Sequence, residues 1–180
     1  MKNSTPIQIA LSKTKMKFLL LGSILFILIG IWFVSNPPEG SSNWFKNETV
    51  MRILGGLAIV FFGGLAISIS RKYNDKKPGL QIDQAGITDN SSAVSAGLIP
   101  WDDITAVEIA QVMNQQFLLI IVQNPEDYIN QITNPIKKGA VKMNYKSYGT
   151  PITITSTALE IDFSELQKVI LEQMQNYKAQ

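Results

Sequence analysis

The chain has 180 residues, of which 46% are hydrophobic, and its 16 Lys or Arg residues stand against 14 Asp or Glu. It contains no cysteine and no histidine, which excludes disulfides, cysteine–histidine zinc sites and nucleophiles activated by histidine. Composition leaves open a metal site built from carboxylates and acid–base chemistry by Asp, Glu or Lys.

The net charge of +2 hides a separation of charge along the chain. Residues 1–77 contain ten Lys or Arg and three acidic residues, whereas residues 78–180 contain six basic and eleven acidic residues. An acidic domain therefore follows a basic N-terminal region. This distribution does not predict a nucleic-acid partner.

Two apolar segments near the N-terminus predict transmembrane helices over residues 16–34 and 50–70. After Lys17 the first segment runs for seventeen residues without a charge, and the second has Arg52 near its start, where a long side chain reaches the lipid headgroups. A cleaved signal peptide is the alternative for the first segment. Its apolar stretch is longer than the usual ~7–15 residues and no A-x-A site follows it, which favours an uncleaved anchor.

Basic residues predict the orientation of the two spans. Four lysines lie at or before the start of the first span, while the connecting loop 35–49 has Lys46 alone. The juxtamembrane linker 71–79 carries four more, Arg71, Lys72, Lys76 and Lys77. The tail 1–15 and the domain 80–180 are therefore predicted to be cytoplasmic, with the loop external, in a plasma (inner) membrane. Besides setting the topology, the four linker residues are candidates for contact with anionic lipid, at about 1 kcal/mol each.

Small residues recur every seven positions in both spans. They are Ser23 and Gly30 in the first span and Gly56, Gly63 and Ser70 in the second. Small side chains let helix backbones approach closely in lipid. The pattern favours packing of the hairpin on itself, and a homo-oligomer formed through Gly56 and Gly63 is the alternative.

Hydrophobic periodicity predicts an α+β fold for residues 80–180. The predicted elements are a β-hairpin over 80–89, a strand ending at 98–101, strands over 104–112 and 117–122, helices over 124–132 and 136–145, strands at 152–154 and 159–163, and a last helix capped by Asp162 or Ser164. The run FLLIIV lacks alternation, so its strand is predicted to be central. About seven mostly antiparallel strands with a helical insertion and a C-terminal helix outline a pleckstrin-homology-like (PH-like) barrel.

Several motifs carry a resemblance. GLQIDQAGITDNSSAVSAGLIPWDDI, with NPEDYI and YGTPITI, resembles an uncharacterised family of small bacterial membrane proteins with two N-terminal transmembrane helices followed by a PH-like domain. The patterns I-D-x-x-G-I and I-P-W-x-D-I are similar to bacterial PH-like domains more generally. The resemblance covers nearly the whole chain and implies the fold, but it brings no activity to carry over.

The sequence departs from phosphoinositide-binding PH domains, which use basic residues around their first hairpin loop. The matching loop here is Asp83-Gln-Ala-Gly86, and residues 80–135 contain seven acidic residues and no Lys or Arg. Binding of a phosphoinositide headgroup at this loop is therefore not expected.

Three groups of residues are candidates for function. Asp102 and Asp103 are adjacent carboxylates, but successive side chains in a strand diverge, which favours a role in a turn with Trp101 in the core. The small polar segment 89–97 favours a surface loop over an anion site, because it has no lysine and no phosphate-loop spacing. Lys138, Lys142 and Lys146 lie along one face of a predicted helix; they are either a solvated face or a contact with the anionic inner leaflet.

The leading interpretation is a non-enzymatic, membrane-tethered interaction, scaffold or regulatory module that recruits a protein or peptide. No catalytic residue, cofactor or metal ligand is predicted. The alternatives are an oligomeric pore or transport accessory subunit, a lipid-binding membrane protein, and a membrane enzyme that uses carboxylates. A pore predicts a polar lining, yet neither span has an ionisable residue near its middle.

Overall fold

A computed structural model describes residues 5–38 and 47–179, so most of the predicted external loop 35–49 lies outside the described residues. The chain forms two compact units. Residues 13–75 form a helical unit. The described parts of 1–12 and 76–180 together form the second unit, called the soluble unit below.

The helical unit consists of α1 (Lys13–Ser35) and α2 (Glu48–Tyr73). Both helices extend a few residues beyond the predicted spans. Asn47 caps α2, because its side chain accepts hydrogen bonds from the backbone N–H groups of Thr49 and Val50 at 3.0 and 3.3 Å. Arg52 pairs with Glu48 at 2.5 Å, four positions earlier on the same helix.

Both helices are long and apolar enough to span a membrane. Their most apolar windows have mean hydropathies of 2.6 and 2.2, and at 1.5 Å per residue the helices are about 34 and 39 Å long, more than the ~30 Å hydrocarbon core. Only 11% and 6% of those windows is buried. Most of this apolar surface is therefore uncovered, unlike that of a helix in the core of a soluble protein.

The two helices approach each other closely at Gly30 and Gly55. A Cβ added at Gly55 would lie 2.6 Å from the carbonyl oxygen of Gly30, and one added at Gly30 would lie 2.9 Å from that of Gly55. Phe26 and Phe62 stack nearby, with ring centroids 4.4 Å apart. Gly30, predicted to allow close approach, does so.

Gly56 and Gly63 do not pack within the hairpin, so the favoured interpretation was wrong for these two glycines. A Cβ added at either position meets no described atom within 4 Å. The face of α2 that packs on α1 includes Gly55, one position earlier. One residue is a rotation of about 100° around a helix, which turns Gly56 and Gly63 away from α1.

The soluble unit contains two antiparallel sheets. The four-stranded sheet has the order β1 (Ile7–Ile9), β2 (Leu80–Ile82), β3 (Gly86–Asp89) and β4 (Gly97–Pro100). The three-stranded sheet has the order β5 (Ile104–Val112), β6 (Gln115–Val122) and β7 (Ile152–Ile154). The strand predicted as central, β6, does lie between two others.

The first strand comes from the N-terminal tail and was not predicted. β1 pairs with β2 in antiparallel register, with Ile7 opposite Ile82 and Ile9 opposite Leu80. Ile9 is buried. Part of the predicted tail 1–15 is therefore a strand. It adds an edge to a sheet whose other strands follow the hairpin in the sequence.

The strand predicted at 159–163 is absent, and this prediction was wrong. Leu159 makes a single antiparallel bridge to Leu11, flanked by the bonds from Ser12 N to Ala158 O at 2.8 Å and from Glu160 N to Ala10 O at 2.9 Å. The apolar–polar alternation that suggested a strand instead leads into the last helix.

Three helices complete the soluble unit: α3 (Pro125–Asn130), α4 (Pro135–Tyr148) and α5 (Phe163–Lys178). α3 and α4 lie between β6 and β7 in sequence, as the predicted helical insertion. The fully buried hydrophobic side chains come from both sheets, from Leu159 and from α5. They are Leu80, Ile82, Ile87, Ile99, Leu118, Ile120, Ile154, Leu159, Leu166 and Ile170.

Candidate functional site

The adjacent carboxylates of Asp102 and Asp103 point to different partners. They lie in a short 3-10 turn with Trp101, which is buried. Asp103 accepts a hydrogen bond from the Tyr128 hydroxyl at 2.7 Å, and Asp102 accepts one from the Tyr177 hydroxyl at 2.9 Å. The two carboxylates therefore fasten the turn to α3 and α5, in agreement with the predicted structural role.

Tyr128 stays a neutral hydrogen-bond donor. Its burial, together with the hydrogen bond to Asp103, raises the pKa of the Tyr128 hydroxyl far above its ordinary value. A tyrosine held protonated in this way does not serve as a base near neutral pH.

The motif residues that carry the family resemblance meet at the first hairpin. The Trp101 indole donates to the Asp83 carbonyl oxygen at 2.8 Å. Gly86 has a φ of +148°, and a Cβ there would lie 2.1 Å from the Ile99 carbonyl oxygen, so only glycine fits this turn. Asp83 also accepts a bond from the Ala85 N–H at 2.9 Å. These residues build the turn.

The segment 89–97 is organised by its own carboxylate. Asp89 is 3% exposed, and it accepts hydrogen bonds from the backbone N–H and hydroxyl of Ser91 at 2.8 and 2.6 Å. Its other oxygen accepts from the Ala96 N–H at 3.3 Å. Because Asp89 occupies these N–H groups, they are not available to bind an external anion.

The lysines of α4 divide between two sides of the helix. Lys138, Lys142 and Lys146 follow one another at four-residue spacing, and Lys142 and Lys146 are exposed. Lys137 instead lies near the inner side, where its Nζ donates to the Ser95 carbonyl oxygen at 2.7 Å. The three predicted lysines therefore form one row, from which Lys137 is separate.

Two large apolar side chains on α4 also face away from the core. Ile136 is 84% exposed and Met143 is 71% exposed. They are seven positions apart and so lie on one face, opposite the buried Val141. At about 100° of rotation per residue, the row of lysines lies roughly 80–160° around the helix from Ile136, with Lys146 nearest the apolar strip and Lys138 nearest the buried side. The sequence spacing shows both sets, but not which side is buried.

The linker residues belong to different units. Arg71 and Lys72 lie in the helical unit, where Lys72 is 3.9 Å from Asp75. Lys76 and Lys77 lie in the soluble unit and are exposed. In the helical unit the Lys13 ammonium lies 5.8 Å from the centroid of the Tyr73 ring, a cation–π contact between the beginning of α1 and the end of α2.

The longest strand lies at the edge of a sheet. Within the described residues β5 pairs with β6 alone. Its nine residues carry a single charge, Glu108, and Ile109 is about half exposed. Soluble proteins commonly protect such edges with several charges or with proline, so an edge of this length with one charge marks a surface that can pair with another strand.

A cavity of about 270 Å³ lies inside the soluble unit, between the loop before β4, the α3–α4 connection and β7. It is lined by Val94, Ser95, Ala96, Tyr128, Gln131, Ile132, Thr133, Asn134, Lys137, Val141, Pro151 and Ile152. Its charged lining residue is Lys137. Sequence reasoning missed this cavity, because its walls come from segments that only the fold brings together.

Among residues 5–38 and 47–179, no three or more Asp or Glu side chains cluster in a way that could hold a metal ion. Comparison with models of known protein families, with curated proteins and with solved structures gives no match.

Proposed function

We propose that this protein is a non-enzymatic interaction module with a PH-like domain, tethered to the plasma (inner) membrane by the α1–α2 hairpin, with both termini in the cytoplasm. The pairing of β1 with β2 carries the proposal. One strand precedes the hairpin and the other follows it. Because the two strands pair in one sheet, the segments before and after the hairpin must lie on the same side of the bilayer. A chain that crosses the membrane twice returns to the side from which it started.

The order of the elements supports a PH-like fold. Four strands form one sheet, the next three form another, and a helix follows. Leu166 and Ile170 of that helix are fully buried, as expected for a helix that closes the end of a barrel. Two features are particular to this chain: the hairpin is inserted after β1, and α3 and α4 are inserted before β7.

The edge of β5, whose nine residues carry one charge, supports recruitment of an extended peptide segment by strand addition. Such a segment would pair with the backbone of residues 106–112, where main-chain hydrogen bonds give affinity. A photo-crosslinking residue at Ile109 should attach to a partner polypeptide, whereas the same residue at the exposed Gln175 of α5 should not. Equal attachment at both positions would argue against the edge.

The basic residues support contact with an anionic leaflet. Those of the linker are Arg71, Lys72, Lys76 and Lys77, and those of α4 are Lys138, Lys142 and Lys146. On α4 the exposed Ile136 and Met143 add apolar side chains that can enter the headgroup region. Of the three lysines, the exposed Lys142 and Lys146 lie toward this apolar strip, so that side of α4 offers both kinds of attraction that hold a surface helix to anionic lipid.

Cysteine labelling tests the topology, because the natural chain has no cysteine. An impermeant maleimide added to intact cells should label Ser42→Cys in the connecting loop. It should label Gln180→Cys only after lysis. Labelling of Gln180→Cys from outside would contradict the proposed orientation.

The same reagent tests the α4 contact in nanodiscs. Met143→Cys should react several-fold more slowly in discs with anionic lipid than in neutral discs. Replacing Lys138, Lys142 and Lys146 by Glu should remove that difference. Gln175→Cys, on α5, is the matched control and should react equally in both discs. Equal reactivity of Met143→Cys would exclude the contact.

A further inference from the structure

We propose that the cavity beside Lys137 binds a small monocarboxylate, with the carboxylate on the Lys137 ammonium and the apolar part against Val141 and Ile152. This goes beyond the proposed function, because the cavity lies on the inner side of α4 and does not depend on the membrane contact of the outer side.

The cavity has an apolar floor and a polar rim. Val141 and Ile152 are each 3% exposed and form part of the floor. Gln131, Thr133 and Asn134 belong to the rim. The volume of about 270 Å³ is far more than a single water molecule needs. This suits a small organic molecule and is near the lower end of ligand pockets.

The charge of the residues that line the cavity favours an anionic ligand. Of the twelve described residues that line the cavity, Lys137 alone is charged. The Ser95 carbonyl oxygen accepts one of the three ammonium hydrogens at 2.7 Å, which leaves two for a ligand. The helix terminus itself is not the binding group, because Asn134 Oδ1 already accepts from the N–H groups of Ile136 and Lys137 at 3.0 Å.

The balance of charge favours a monoanion over a phosphate. Residues 78–180 contain eleven acidic and six basic residues, so one ammonium faces a negative domain. It can neutralise one carboxylate charge, whereas a second negative charge would stay uncompensated. The apolar floor adds a reason for an acid with a short hydrocarbon part, since removing CH₂ groups from water favours binding.

Calorimetric titration of the full-length protein in detergent tests this site with four probes. Hexanoate is the free acid, hexanamide its uncharged counterpart and inorganic phosphate the alternative anion; a hexapeptide ending in Leu carries a chain-terminal carboxylate. Hexanoate or the peptide should bind at least about tenfold more tightly than hexanamide, because the ammonium bonds a carboxylate more strongly than an uncharged amide. Either should also bind at least about tenfold more tightly than phosphate, whose second negative charge stays uncompensated. Tighter hexanoate assigns the site to a free acid, and tighter peptide assigns it to a chain terminus.

Variants locate the binding. Lys137→Gln should weaken carboxylate binding at least about tenfold. Thr133→Trp should prevent binding, because the larger side chain would close the rim of the cavity. Lys168→Gln, at an exposed position on α5, should leave it unchanged. The melting temperature of each variant verifies that the fold is kept. The proposal is overturned if neither carboxylate binds at millimolar concentration, or if the Lys137 and Lys168 variants bind alike; the membrane anchor and its topology would stand in either case.

Discussion

Ile9 and Leu80 lie opposite each other in neighbouring antiparallel strands, although the entire helical hairpin separates them in sequence. Leu80 is fully buried and Ile9 nearly so. The hairpin is thus inserted into the soluble unit between β1 and β2. The core of that unit is complete only when residues before α1 and after α2 have come together.

The first prediction follows from this pairing. Ile9→Ala should lower the free energy of unfolding of the soluble unit by about 2–4 kcal/mol, because it removes a buried side chain from β1. Urea unfolding in detergent measures this through Trp101 fluorescence, with Trp32 and Trp44 replaced by Phe.

Gln8→Ala is the matched control in the same strand. Gln8 is exposed, so its replacement should change the free energy of unfolding by less than about 0.5 kcal/mol. Equal effects at Ile9 and Gln8 would mean that β1 does not contribute to the core.

Sequence patterns predicted the helices and strands whose formation is favoured by residues within the same segment. The hairpin at 80–89, the strands from 97 to 122 and the helices after Asn124 and Pro135 all carry alternation, turn residues or helix-start signals. β1 has three residues and lies just before a lysine-rich stretch that leads into an apolar span. It is a strand only because β2 pairs with it. The segment 159–163 is the opposite case. Its apolar and polar residues alternate as in a strand, but it pairs with a neighbouring segment only through a single bridge.

Tertiary contacts also decided the functional features. The row of lysines on α4 was visible in the sequence, yet only the burial of Val141 shows which side faces outward. The cavity was invisible, since Ser95, Lys137 and Ile152 come together only through the fold. Gly55 was overlooked because it lies next to Gly56 and outside the seven-residue repeat.

The second prediction contrasts these two glycines. Gly55→Leu should push α1 and α2 apart, because its Cβ would clash with the Gly30 carbonyl oxygen; overpacking of this kind costs about 1–3 kcal/mol. Gly56→Leu should leave the hairpin intact. The measurement is the yield of a disulfide between Phe26→Cys and Phe62→Cys, whose native rings stack.

The same pair of variants tests self-association. If copies of the chain associate through Gly56 and Gly63, Gly56→Leu should reduce chemical cross-linking between chains in membranes, although the disulfide within the hairpin still forms. Cross-linking that is unchanged by Gly56→Leu would rule out an oligomer through this face.

The third prediction concerns the buried carboxylate of Asp89. Asp89→Ala should lower the free energy of unfolding by about 3 kcal/mol, because the N–H groups of Ser91 and Ala96 lose a charged acceptor. Limited proteolysis should then cut within residues 90–96. Asp162→Ala is the control: Asp162 caps α5 without a side-chain hydrogen bond, so less than about 0.5 kcal/mol is expected. Similar losses in both variants would contradict this role of Asp89.

The last prediction is a dependence on pH that arises at Asp83. The hydrogen bond from the Gln81 side chain, at 2.9 Å, is the main cause that lowers the pKa of the Asp83 carboxyl; bonds from the Ala85 and Gly86 backbone act in the same direction, and partial burial opposes them. At a given acidic pH the Asp83 carboxyl group is therefore protonated less often in the folded chain than in the unfolded chain. Its contribution to stability is complete above the unfolded pKa of about 3.9 and is lost as the pH falls through the lower folded value.

Asp83→Asn removes this charge while keeping an oxygen that can accept from the Ala85 N–H. The difference in free energy of unfolding between the natural chain and Asp83→Asn should be constant from about pH 6 to 5 and should shrink below about pH 4. Urea unfolding at several pH values measures it, with Gln8→Ala, which changes no titratable group, as the control. A difference that grows as the pH falls would have the wrong sign, because it would require a folded-state pKa above the ordinary one.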